Sequence, residues 1–177
     1  EKKKLAKPYI FYIGRLEEKK NIVGMIRAYG ILRKEKAIRH QFILAGRPGF
    51  GYEKIKTEIQ KLPNNIRKDV TELGYVDQKT YINYLKNADI LFFCTFFEGF
   101  GLPLVEAMAS GVPVAAYPVP GPVDVVTPGV TGVLDQDLSR AATAALSLSP
   151  ADCRTHALKN SWRACAEMFF SYLEPFT

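Results

Sequence analysis

Two stretches of the chain carry side chains suited to an anionic or hydroxylated ligand. In EGFGLPLVE, the carboxylates of Glu98 and Glu106 stand with seven residues between them, and Gly99 and Gly101 flank Phe100 ahead of Leu102. Glycines leave backbone N–H groups uncovered, and beside a helix N-terminus such amides can bind phosphate or sugar oxygens. A carboxylate accepts hydrogen bonds from the vicinal hydroxyls of a ribose or hexose. The plainer alternatives are a dipole-compensating charge at Glu106 and a loop charge at Glu98. In GRLEEKKN, Gly14 lets the chain turn tightly off a strand, Arg15 stands at that strand's carboxyl end, and Lys20 lies near the next helix. A planar guanidinium and a flexible ammonium beside a helix N-terminus make a diphosphate clamp. A surface arginine next to a charged turn fits that stretch equally well.

The elements that must position these residues alternate between β-rich runs and helical periodicity, which argues for βαβ units and a parallel sheet. Strands are expected at 8–14, 41–46, 70–76, 88–94, 112–117 and 131–134. The run ADILFFC is apolar on both faces, as a central parallel strand should be. Helices are expected through Ile22–Leu32, through Ile55–Leu62, and over 78–87, 103–110, 137–146 and 150–172, with Pro103 opening its helix and 118–122 a stiff loop. The fold class is therefore α/β, a doubly wound, Rossmann-like parallel sheet in a single domain. Its ligands sit where strand C-termini meet helix N-termini.

Bulk composition agrees with one globular core. The 177 residues are 47% hydrophobic and 24% charged. No apolar run reaches the roughly 20 residues needed to span a bilayer, and no secretory signal opens the chain. Cys94, Cys153 and Cys165 form an odd set without C-x-x-C spacing, read as reduced thiols of a cytoplasmic protein. No metal site is expected. His40 and His156 stand apart in sequence and are given no role.

The net charge of +6 is uneven, because fourteen of the fifteen lysines lie at or before Lys86. A basic face could meet an anionic membrane surface or phosphorylated substrates, and solvated helix faces account for the lysines as well. A nucleic-acid reading rests on charge alone and is not adopted. After Gly101 alanine, valine, proline and leucine take over, with twelve of the seventeen alanines there. Either the domain is naturally asymmetric or two related parents were joined within one fold.

The pieces YIGRLEEKKN, FILAG, VTELGYV, ADILFFCTFFEGFGLPLVEAMASGVPV and GVTGVL resemble, in that order, the C-terminal domain of GT-B-fold, retaining glycosyltransferases of family 4. The resemblance covers about Pro8 to Leu134, and the long glutamate-containing segment is its most specific part. It implies that Arg15 and Lys20 grip the diphosphate of a nucleoside diphosphate sugar and that Glu106 accepts from the ribose hydroxyls. Glu98 would hold sugar hydroxyls, while Gly99, Phe100, Gly101 and Leu102 present backbone amides. Gly74, Tyr75 and Val76 would lie near the base. These roles make Arg15, Lys20 and Glu98 the catalytic candidates, working without a metal or other cofactor. In one departure, PVPGPVDVV places Asp124 where the family commonly has a glutamate, which bears on sugar preference.

A GT-B enzyme closes its site between two Rossmann-like domains. The acceptor-binding partner domain would precede residue 1, so the chain is expected to bind a nucleotide weakly and to turn over no acceptor. Trp162, Phe169, Phe170 and Tyr172 would face that missing domain and, uncovered, favour weak self-association. The expected location is cytoplasmic, with peripheral attachment to the inner membrane face. Three rivals share the architecture. A dinucleotide-binding oxidoreductase needs G-x-G-x-x-G after the first strand, where the chain has only Gly14. A GT-B epimerase or phosphorylase lacks the GFGLPLVE segment in this form. A non-catalytic or engineered folding module with a vestigial site would bind no nucleotide.

Overall fold

Alternate residues of the first strand, β1 (Tyr9–Ile13), face opposite ways, as the two-residue period of a strand requires. Ile10 and Tyr12 enter one apolar core and Tyr9 and Phe11 the other, so β1 is buried on both faces. The computed structural model describes residues 7–35, 38–95, 101–159, 167 and 171. Among these, five more strands join β1: β2 (Gln41–Ala45), β3 (Val70–Gly74), β4 (Ile90–Phe93), β5 (Val114–Ala116) and β6 (Gly132–Leu134). They form one parallel sheet in the order β3-β2-β1-β4-β5-β6, with Tyr9 opposite Gln41 on one side of β1 and Ile10 opposite Ile90 on the other. This is the doubly wound α/β fold expected from the sequence.

The core against one face holds Met25, Ile26 and Tyr29 of α1 (Ile22–Glu35), Ile55 and Ile59 of α2 (Tyr52–Lys61), and the alanine-rich α7 (Leu138–Ala145). The other face is covered by α4 (Gln78–Asn87), α5 (Leu102–Ala109) and α8 (Pro150–Leu158) through Leu85, Leu104, Met108 and Cys153. Right-handed crossovers impose the split for the helices that link strands. Helices α1 and α2 connect β1 to β3 in one direction, and α4 and α5 lead to β4 and β5 in the other, so the two pairs fall on opposite faces. Helix α7, which follows the last strand, packs beside α1. Local signals start the helices where they start. Asp77 accepts from the N–H of Thr80 at 2.7 Å, Asp137 from those of Ser139 and Arg140, and Ser149 from that of Asp152.

Three local expectations change. Helix α5 begins at Leu102, because Gly101 at φ +71° serves as its N-cap; Pro103 falls second in the helix, where a missing N–H still costs no helical bond. A single-turn helix, α3 (Asn64–Arg67), precedes β3. The stretch expected as a stiff loop ends in another, α6 (Pro122–Val125), where the Asp124 carboxylate accepts from the N–H of Gly121 at 3.1 Å. Cys94 and Cys153 are buried free thiols, and burial holds both above the usual thiol range. Cys165, Trp162, Phe169, Phe170 and Tyr172 lie outside the described residues. Among the described residues no helix is long and apolar enough to cross a membrane.

Candidate functional site

Strand order reverses between β1 and β4, and the helices that follow them, α1 and α5, pack on opposite faces of the sheet. Such a switch point leaves a crevice. Here it is a cleft of about 360 Å³, with Gly14, Arg15, Lys19 and Lys20 on the β1 side and Phe93 and Pro103 on the β4 side. Tyr12 and Glu17 also line it.

Backbone packing holds the β1 side. The N–H of Gly14 donates to the carbonyl of Ala45 at 3.0 Å, and that of Leu16 to the carbonyl of Arg47 at 2.9 Å. Leu16 is buried beneath them. The Tyr12 hydroxyl donates to the carbonyl of Arg15 at 3.1 Å, fixing the turn while the Arg15 side chain stays exposed. A 3-10 turn at Glu18–Lys20 then brings Lys20, half-buried, to the cleft. Lys19 pairs with Glu17 at 3.3 Å, which offsets one of the three lysine and arginine charges around the crevice.

Asn21, which closes the GRLEEKKN stretch, is the one non-glycine among the described residues with positive φ, at +54°. It caps α1: its carbonyl accepts from the N–H of Met25, its Oδ1 from that of Gly24 at 3.2 Å, and its Nδ2 donates to the Tyr117 hydroxyl at 3.2 Å. The basic turn is thereby tied to the chain just past β5. An asparagine directly ahead of helical apolar periodicity is a readable cap signal, but its reach to Tyr117 is visible only in the fold.

On the β4 side, Gly101 and Leu102 open α5, and neither N–H donates to a backbone carbonyl of the described residues. Glu106 is exposed and lies three residues beyond Pro103, on the same side of the helix and roughly 4.5 Å further along its axis. It does not line the cleft itself. Its Oε2 accepts from the hydroxyl of Tyr81 on α4 at 2.5 Å. Burial, and then the carboxylate beside it, push the Tyr81 phenol above its usual range, so it remains a donor. No spacing rule in the sequence links Tyr81 to a residue 25 positions away. Glu98, Gly99 and Phe100 lie outside the described residues.

The third expected element is two strands away from β1. Gly74 ends β3 at φ +69°, and its carbonyl accepts from the N–H of Gly46 at 2.7 Å. Tyr75 projects into solvent, with the Arg47 guanidinium 4.6 Å from its ring centroid. Val76 is half-buried against the α4 face. Two strand spacings separate this corner from Gly14 by roughly 10 Å. The structure thus gathers Gly14, Arg15 and Lys20 in one cleft with the first turn of α5. Glu106 stands one turn behind and Gly74–Val76 two strands aside.

Residues 1–149 match the family described as glycosyl transferases group 1. Among curated proteins the chain is 36% identical over 107 residues to the O-antigen chain mannosyltransferase B of Escherichia coli, covering 60% of this chain and 27% of that one. It is 28% identical over 141 residues to the sucrose synthase of Beta vulgaris, covering 72% of this chain and 18% of that enzyme. Among solved structures, TarM of S. aureus in complex with UDP superposes at a TM-score of 0.75 and 23% identity, covering 97% of this chain and 36% of its own. Anabaena HepE in complex with UDP-glucose gives 0.72 and 21%, covering 94% and 49%. The chain therefore spans about a quarter or less of these two curated relatives and at most half of these two solved chains. With a match running from the first residue through β6 and α7, the chain belongs to the group 1 glycosyl transferases.

Proposed function

We propose that this domain binds the nucleoside diphosphate sugar of a metal-independent, retaining hexosyltransferase of GT-B architecture, working at the cytoplasmic side of a membrane on a glycan or lipid-linked acceptor. The observation that carries the reading is the cleft at the strand-order reversal, where Arg15, Lys20 and the opening turn of α5 converge. Glycosyl transfer breaks the bond from the anomeric carbon to a diphosphate oxygen. The electron pair leaves on the diphosphate and positive charge builds on the sugar ring. Fixed cations and uncovered helix amides meet that leaving charge without reorganising. Family membership supports the reading, and so does the presence of UDP and UDP-glucose in HepE, whose fold this chain shares. Because the chain covers only part of its relatives, the acceptor is assigned to a second domain, and the isolated chain binds donor without turning it over.

Calorimetry with UDP, GDP and ADP on the wild type, Arg15→Ala and Glu106→Ala tests this. One nucleotide binds the wild type, and each variant weakens it at least about tenfold, the usual worth of a charged hydrogen bond, at unchanged melting temperature. Binding of none of the three makes the site vestigial. Transfer by the purified chain at rates typical of intact enzymes overturns the assignment of the acceptor to another domain.

A further inference from the structure

Glu106 carries a long, exposed side chain, which by itself would sample several rotamers. In the fold it is held from outside its own helix by the Tyr81 hydroxyl on Oε2. Tyr81 is held in turn. Its half-buried ring stacks on Phe11 of β1 at 6.5 Å between centroids and 27° between planes, and α4 is fixed through the same strand by the Tyr9 hydroxyl donating to the Tyr84 carbonyl at 2.6 Å. A chain of contacts therefore runs from the central strand, through a phenol, to a carboxylate one turn behind the cleft. Among the described residues the other oxygen, Oε1, takes no partner, so the pair leaves an acceptor to offer a ligand.

We infer that Tyr81 is a positioning residue: it locks the Glu106 carboxylate in the orientation that accepts the ribose hydroxyls of the donor, and so sets how strongly the domain demands a ribose. The inference rests on the reading of Glu106 under Proposed function. A phenol suits this role because it donates one hydrogen bond and carries no charge of its own. A lysine there would neutralise the carboxylate, and a phenylalanine would leave it to water.

The experiment compares UDP, GDP and ADP with their 2′,3′-dideoxy counterparts on the full chain. The readout is the ratio of the two dissociation constants for whichever base binds. In the wild type that ratio is at least about ten, as for a hydrogen bond to a charged group. Tyr81→Phe keeps the ring and its stack on Phe11, so the chain stays folded with its melting temperature near wild type, while the ratio falls to about three or less. In a Glu106→Ala background the same change does nothing further, because Tyr81 acts through that carboxylate. A Tyr81→Phe chain that weakens both nucleotides equally and keeps the wild-type ratio overturns the inference, since that is the signature of a structural role. A wild type that binds both forms alike, or none of the three bases, overturns the reading of Glu106 itself and this inference with it.

Discussion

A Cβ placed on Gly46 would stand 1.9 Å from the carbonyl oxygen of Gly14. The turns leaving β1 and β2 thus touch backbone to backbone, directly beneath Arg15. Gly46 also sits at φ +149°, in a region that side chains disfavour. Gly46→Ala is therefore expected to destabilise the fold by about 3 kcal/mol or more, because neither backbone has anywhere to retreat. Urea unfolding of the variant checks this; a loss below about 1 kcal/mol would show that the turns are looser than their contact implies.

Asn21 separates conformational from hydrogen-bonding contributions. Asn21→Ala loses the bonds to Gly24 and Tyr117 and also strains the left-handed backbone, a combined cost of about 2–3 kcal/mol. Asn21→Gly keeps the backbone comfortable and loses only the bonds, and should cost about half as much. Equal losses in the two variants would mean that the conformation contributes nothing.

Stability should fall on acidification in two stages. His40 is partly buried, its Nδ1 has no partner among the described residues, and burial is the main cause that lowers its pKa; Asp89 opposes this and Arg33 adds to it. Below the ordinary value of 6.5 the unfolded chain takes up a proton that folded His40 resists, so stability drops as pH falls from there. His40→Asn should flatten that stage in a series of melting temperatures against pH.

The second stage belongs to Asp69. Burial pushes its carboxyl up, but hydrogen bonds from Arg33 at 2.8 Å and Lys7 at 3.2 Å outweigh this and hold it below the carboxylate range. Its contribution is complete above the ordinary value of 3.8 and is lost as pH falls through the lower folded value. Asp69→Asn should cost about 3 kcal/mol at neutral pH, because it strands Arg33 in a mostly buried position. A melting curve unchanged at pH 7 would contradict that.

Arg15 and Lys20 should not be interchangeable with other cations. If Arg15 meets a diphosphate with its planar fork, Arg15→Lys loses about tenfold in UDP affinity although the charge is kept. Lys20→Arg, at a point-charge position, changes affinity less. Calorimetry at two salt concentrations is the check, and equal effects of the two swaps would remove the distinction between them.

Much of this protein was legible before any fold was known. The continuous apolar run at β1, the doubly apolar run at β4 and the helical periodicity through Ile55–Leu62 are local properties, and each element formed where its pattern stood. The same holds for the basic turn, since Gly14, Arg15 and Lys20 lie within seven residues of one another and share a strand end and the turn that follows it. The helix start at Leu102 was misplaced by a single residue, because Gly101 and Pro103 are both punctuation and only the backbone angle shows which one caps.

What the tertiary structure alone decided are the meetings across the sheet. Pro103 faces Arg15 because the strand order reverses between β1 and β4, and order is settled by packing and crossover handedness, not by any residue of the two loops. Tyr81 reaches Glu106, and Asn21 reaches Tyr117, over separations of 25 and 96 residues. Propensity and periodicity act over a few residues, whereas such contacts depend on where whole helices come to rest. The sequence by itself therefore determined which groups could bind an anion or a sugar; the fold determined which of them stand together and what holds them there.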